Sequence, residues 1–129
     1  MIKLNRIHHI ALICSDYAVS KSFYTNVLGL EIVRETYRTE SDSYKLDLSV
    51  QGGYQIELFS FPNPPARVSG PEARGLRHLA FEVDDIDASV KHLQKHKLIT
   101  EKIRVDLTTG KRFIFFSDPD GLPIELYEI

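Results

Sequence analysis

Tryptophan is absent from these 129 residues, and cysteine and methionine occur once each. A lone thiol, Cys14, excludes an internal disulfide, so the fold has to be held by its core. Cys14 closes an apolar run, Ile10-Ala11-Leu12-Ile13, and reads as a small buried hydrophobe rather than a reactive thiol. No apolar stretch approaches the roughly 20 residues that cross a bilayer. The opening Met1-Ile2-Lys3-Leu4-Asn5-Arg6 has no signal-peptide core. Together with the single cysteine, these absences give a cytoplasmic expectation. Neither sign of charge dominates: 16 Lys and Arg stand against 18 Asp and Glu. No basic stripe interleaved with aromatics appears, so nucleic acid is not an expected partner, and neither is a membrane. What remains, 43% hydrophobic and 26% charged, is the composition of an ordinary globular protein.

The sequence does hold an internal repeat. His9-Ile10-Ala11-Leu12 aligns with His78-Leu79-Ala80-Phe81 at an offset of 69, and Gly53-Tyr54-Gln55-Ile56-Glu57-Leu58-Phe59 aligns with Gly121-Leu122-Pro123-Ile124-Glu125-Leu126-Tyr127 at 68. Between these blocks Ser15-Asp16 matches Asp84-Asp85, and Ser20 matches Ser89. The chain reads as module one, about 1–61, a Pro/Gly-rich linker, about 62–74, and module two, about 75–129. Each module has the same predicted order. In the first, a strand over 7–13 is followed by a helix over 17–28 that Ser15 or Asp16 can cap. Val19, Phe23, Val27 and Leu28 form its apolar stripe, and Gly29 ends it. Strands at 30–38, 43–50 and 54–60 follow, the last two joined at Gly52-Gly53. In the second, a strand at 76–83 and a helix at 85–97 precede strands near 101–106, 111–117 and 122–127. The expected fold class is α+β: two tandem β-α-β-β-β modules.

Strand alternation sorts the side chains. Ile10 and Leu12 share one face and His9 and Ala11 the other. Leu79, Phe81 and Val83 oppose His78, Ala80 and Glu82. Ile56 and Leu58 oppose Glu57, and Ile124 and Leu126 oppose Glu125. The helices are expected to cover the bulky apolar faces, which leaves two His and two Glu at equivalent positions on the other side. A lone His or Glu on a strand is ordinarily structural or solvated, but all four at repeated positions point to a metal site. Two imidazoles and two carboxylates balance one divalent ion, and mixed nitrogen and oxygen donors suit Ni, Zn, Co, Mn or Fe. Such an ion can polarise a carbonyl and stabilise an enediolate. His8 aligns with Arg77 and is assigned to the helix side, as a boundary residue. Arg38, Arg67, Arg74, Lys111 and Arg112 are the candidate cations for a substrate cleft, with Arg112 the best placed.

These residues resemble the vicinal oxygen chelate superfamily, which includes glyoxalase I. The matching pieces are Ile7-His8-His9-Ile10-Ala11-Leu12 with Asp16, Ser22-Phe23-Tyr24, Leu28-Gly29-Leu30, Tyr54-Gln55-Ile56-Glu57-Leu58, Leu76-Arg77-His78-Leu79-Ala80-Phe81 and Asp118-Pro119-Asp120-Gly121-Leu122-Pro123-Ile124-Glu125-Leu126. The resemblance covers nearly the whole chain as a single domain, 1–129. It implies an open barrel-like metal-binding cleft and a homodimer whose sites are often shared between subunits. It also implies a glyoxalase I-like lyase or isomerase acting on a small-molecule substrate. Carried over, Glu125 is the first choice for the residue that takes the substrate proton and Glu57 the second. The short bacterial enzymes of this type carry an Arg and an Asn that help hold glutathione, where this chain has Ile13 and Phe61. The implied substrate is therefore not bound to be the methylglyoxal–glutathione hemithioacetal. Other superfamily chemistries compatible with the pattern are epimerisation, extradiol dioxygenation with Fe²⁺ and thiol transfer, and a non-catalytic binding protein is the remaining alternative.

Overall fold

The computed structural model describes residues 1–129, which divide into two compact units, Met1–Ala66 and Arg67–Ile129. Unit 1 contains β1 (Ile10–Cys14), α1 (Tyr17–Ser22), β2 (Glu31–Arg38), β3 (Ser43–Val50) and β4 (Gly53–Ser60). Unit 2 contains β5 (Leu79–Val83), α2 (Ile86–Lys95), β6 (Arg104–Val105), β7 (Arg112–Ser117) and β8 (Pro123–Glu128). Each unit is one open four-stranded sheet. The orders are β1-β4-β3-β2 and β5-β8-β7-β6, so the β-α-β-β-β repeat is present in both and the class is α+β.

Within each sheet the first and last strands run parallel, joined through the helix and the two intervening strands. The pairing sets Ala11 opposite Glu57 and Ala80 opposite Glu125. Both helices begin at an aspartate; of Ser15 and Asp16, the two candidates for the first, Asp16 is the cap. Asp16 accepts a hydrogen bond from the Val19 amide at 3.1 Å, and Asp85 one from the Ala88 amide at 2.9 Å. Alternation also holds: Leu12, Cys14, Ile56 and Leu58 are buried in unit 1, and Leu79, Ile124 and Leu126 in unit 2. Helix residues Phe23 and Tyr24 cover the first set, and Ile86 and Leu93 the second. Cys14 is buried, its thiol donating to the Phe59 carbonyl at 3.3 Å.

Several local expectations change. The first helix is not uniform to residue 28. After Ser22 it widens into a π-helical turn, Phe23–Val27, in which the Leu28 amide reaches back five residues to the Phe23 carbonyl. Within it Thr25 donates its hydroxyl to the Lys21 carbonyl at 2.7 Å. Val19, expected on the apolar stripe, is half exposed, and Ser20 is buried in its place. The β3–β4 turn is Gln51-Gly52, not Gly52-Gly53: both Gln51 and Gly52 have positive φ, and Val50 pairs with Gly53. Strand β6 keeps only two of the six residues expected. His9 and His78 each stand one residue before the first paired residue of their strands.

Candidate metal centre

In each unit the residue before the first strand and the middle of the last strand bring one His and one Glu together. His9 Nε2 lies 2.8 Å from Glu57 Oε2, and His78 Nε2 lies 3.0 Å from Glu125 Oε2. The parallel register explains the repetition: each Glu faces an alanine across the strand pair, and the missing bulk lets the imidazole lean over the carboxylate. The carboxylates are largely covered, with side chains 8% and 13% exposed, whereas the imidazoles are open at 42% and 30%. A buried carboxylate with an accessible imidazole beside it presents one oxygen and one nitrogen donor. Within neither unit are three or more His, Cys, Asp or Glu side chains gathered as a metal cluster. Each unit thus supplies one N,O pair of the four predicted residues.

The surroundings of the two pairs differ. In unit 1, Lys45 Nζ is 3.3 Å from Glu57 Oε1 and 3.6 Å from Asp47 Oδ1. Asp47 is fully buried opposite Glu57 in the register, and it accepts hydrogen bonds from Arg34 at 3.3 Å and Tyr54 at 2.9 Å. Burial first, then hydrogen bonds to Asp47 and Glu57, push the Tyr54 phenol well above its ordinary value, so it stays a donor. His8, assigned from sequence to the helix side, instead sits at the pair. Its Nδ1 is 2.9 Å from His9 Nδ1, and its ring meets Tyr54 edge-on. Asp47, Lys45, Tyr54 and His8 are the neighbours that alternation alone did not single out. The repeat could have flagged Asp47, because at the offset of 68 it aligns with an aromatic residue, Phe115.

In unit 2, Phe115 faces Glu125 across the register and meets the His78 ring edge-on at 5.1 Å. Arg104 lies over the Phe113 and Phe115 rings at 4.9 and 5.4 Å. Arg112, the favoured cleft cation, is on the opposite face. It grips Glu128 through Nε at 2.8 Å and Nη2 at 2.9 Å and reaches Asp87 at 3.1 Å. Ile114 and Phe116, which share its side of the strand, are buried. Of the other candidate cations, Arg38 stacks over Phe59 and Phe61 on the Glu57 face of unit 1, and Arg67 lines the same cavity as His78 in unit 2. Arg74 and Lys111 are exposed and in no ion pair.

Comparison with known proteins agrees in scope with this geometry. The family model described as Glyoxalase/Bleomycin resistance protein/Dioxygenase superfamily matches residues 6–126. The chain is 62% identical over 128 residues to the uncharacterized protein YaeR of Escherichia coli (strain K12), covering 99% of both chains. It is 48% identical to the crystal structure of a glyoxalase family protein from Enterococcus faecalis, with a TM-score of 0.86, covering 95% of this chain and 97% of that one. It is 28% identical to the mitochondrial methylmalonyl-CoA epimerase of Homo sapiens, over 95% of this chain and 73% of that protein. No helix is long and apolar enough to cross a membrane.

Proposed function

This chain belongs to the Glyoxalase/Bleomycin resistance protein/Dioxygenase superfamily, and from that premise we propose that it is a divalent-metal-dependent lyase or isomerase of the glyoxalase I-like kind. The observation that carries the reading is the duplicated His–Glu pair at 2.8 and 3.0 Å. His9 and Glu57 from unit 1 and His78 and Glu125 from unit 2 are the ligands, in one chain or in a homodimer. The donor set fits a first-row divalent ion: both imidazoles are partly open with Nε2 turned to the carboxylate, both carboxylates are covered, and the charges of two carboxylates match the cation. When bound, such an ion supplies Lewis acidity at a substrate carbonyl oxygen.

The chain's own residues divide the remaining work. A ligating His9 Nε2 leaves the ring proton on Nδ1, where His8 Nδ1 at 2.9 Å accepts it and holds the ring. Lys45 and Tyr54 restrain Glu57, which suits a fixed ligand. Glu125 is bordered by His78 and Phe115 and carries no cation on it, which suits a carboxylate that takes a proton from the carbon next to the carbonyl and returns it.

A second reading, epimerisation, is favoured by one observation. Ile13 is 58% exposed and Phe61 is stacked on Phe59 beneath Arg38, so neither offers the polar contact a glutathione substrate needs. Returning the proton to the opposite face of the same carbon, as an epimerase does, would use the same ligands but needs a carboxyl group on each face, Glu125 on one and Glu57 on the other.

The test starts from protein produced with Ni, Zn, Co, Mn or Fe in turn and analysed for bound metal. It is then assayed with the methylglyoxal–glutathione hemithioacetal and, in D₂O, for exchange of the α-proton of methylmalonyl-CoA. Turnover or exchange that requires metal and is lost with chelator is the expected result. Stoichiometric metal with neither activity overturns the reading.

A further inference from the structure

On the face of unit 2 that carries His78, a cavity of about 730 Å³ opens beside the linker end, the loop after α2 and strands β6 and β7. That volume lies in the range of small-molecule pockets, about 300–1,000 Å³. Four cations line it, Arg67, Arg77, Lys97 and Arg104, against two carboxylates, Glu72 and Glu101. This excess of positive charge occurs in a chain whose net charge is −2.

The two carboxylates hold their partners weakly. Glu72 pairs with Arg77 at 3.5 Å and Glu101 with Arg104 at 3.2 Å, and the glutamate side chains are 70% and 62% exposed. Exposed pairs of this kind contribute little and yield to a better-placed anion. The other two cations have no carboxylate at all. The Lys97 ammonium is in no ion pair. Arg67 donates only to neutral acceptors, the Ser69 hydroxyl at 2.7 Å and the Leu76 and Arg77 carbonyls at 2.9 and 3.1 Å. Beside these charges the wall is apolar. Phe115 and Phe116 line it, and Val68 and Ile99 stand 63% and 91% exposed.

The unpaired Lys97 and the weakly held Arg77 and Arg104, next to uncovered hydrocarbon, match an amphiphilic anion. We infer that this cavity binds an organic acid or a phosphate ester, its anionic group on Lys97, Arg77 and Arg104 and its hydrocarbon body along Phe115 and Ile99. The inference rests on the proposed function only in placing the reacting carbon of that ligand near His78. The equivalent face of unit 1 differs: at the position of Phe115 it holds the buried carboxylate Asp47, which already engages Arg34 and Lys45.

The test titrates hexanoate, hexyl phosphate and hexanol into the full-length, metal-depleted protein, followed by amide chemical shifts. Hexanoate or hexyl phosphate should shift residues 97–101 and 115–117 saturably, with hexanol at least tenfold weaker. The tighter of the two anions identifies the group as carboxylate or phosphate. The double variant Arg77→Ala/Lys97→Ala should weaken the anions at least fivefold and leave hexanol unchanged. Absence of saturable shifts with both anions, hexanol binding as tightly as they do, or a double variant that binds them unchanged each overturns the inference. The titration involves neither metal nor turnover, so its failure and a failure of the metal-dependent reaction are separate results.

Discussion

The two His–Glu pairs occupy the same positions of the same fold, yet they stand in opposite surroundings. Around Glu57 the register places Asp47, with Lys45 and Tyr54 reaching the carboxylates. Around Glu125 it places Phe115, and at the counterparts of Lys45 and Tyr54 stand Phe113 and Leu122. Duplication repeats the backbone, and with it the distance from His to Glu. It leaves the neighbours free to differ. One half clamps its carboxylate among charges; the other leaves it against aromatic rings. The largest expected effect tests that division directly. Glu125→Gln should lower kcat about a thousandfold, the scale of a lost general base, while retaining most of the bound metal. Glu57→Gln should lose metal content first, and activity with it. Metal analysis beside kcat separates the two, and identical behaviour of the two variants breaks the contrast.

The polar network of unit 1 carries the next effect. Asp47 is fully buried and accepts from both Tyr54 and Arg34, with Lys45 near. Asp47→Ala removes the shared acceptor, but Arg34, 71% exposed, and Lys45, 29% exposed, can turn to water. The loss should therefore be about 2 kcal/mol in urea unfolding, near the value of hydrogen bonds to a charged group. A change below about 0.5 kcal/mol, the size of an ordinary surface substitution, would mean that the network is incidental.

Particular residues show where the sequence was legible. Alternation of Ile10, Leu12, Ile56 and Leu58 against Ala11 and Glu57 is a local property of a strand, and the structure follows it. The same alternation applied to β7 would have placed Arg112 with Ile114 and Phe116 on the helix side, where it lies, rather than in the cleft. Asp47 was harder to read. A charged residue between Leu46 and Leu48 looks like a solvated face, and only its pairing with Glu57, a contact set by the neighbouring strand, shows that it is buried. The π-turn rests on a backbone bond that reaches back five residues, and the apolar stripe alone does not reveal it. His8 escaped because the chain before β1 is not a strand, so its side chain obeys no alternation.

Behind the site faces the two units also differ, and pH exposes the difference. In unit 2, Glu128 accepts from Arg112 through both oxygens and from the Ile86 amide at the start of α2, at 3.1 Å. The Arg112 bonds first, then the Ile86 amide, lower its carboxyl from the usual 4.5 to about 2. At the equivalent place unit 1 has a neutral contact, the Tyr44 amide donating to the Ser60 hydroxyl at 2.9 Å. A depressed carboxylate stabilises the fold above its unfolded value and loses that contribution as pH falls through its folded one. The strap should thus be fully present above pH 4.5 and fade toward pH 2. The urea midpoint of Glu128→Gln should fall below that of the parent at pH 7 and converge with it at low pH. A constant difference between the two across this range would remove Glu128 from the acid response.

The smallest effect separates the two hairpin turns. In unit 2 the turn between β7 and β8 is organised by a side chain: Asp118 Oδ1 accepts from the Asp120 and Leu122 amides, both at 2.9 Å. The β3–β4 turn of unit 1 relies on backbone conformation, with Gln51 at φ +48° and Gly52 at φ +78°. A Cβ added at Gly52 meets nothing within 4 Å, so any cost is conformational and not steric crowding. Gly52→Ala should lower stability by about 1 kcal/mol, the penalty for a left-handed alanine. Gly52→Asn should cost less, since asparagine enters that region more readily. Equal losses for the two variants would show that the turn demands more of residue 52 than a left-handed backbone.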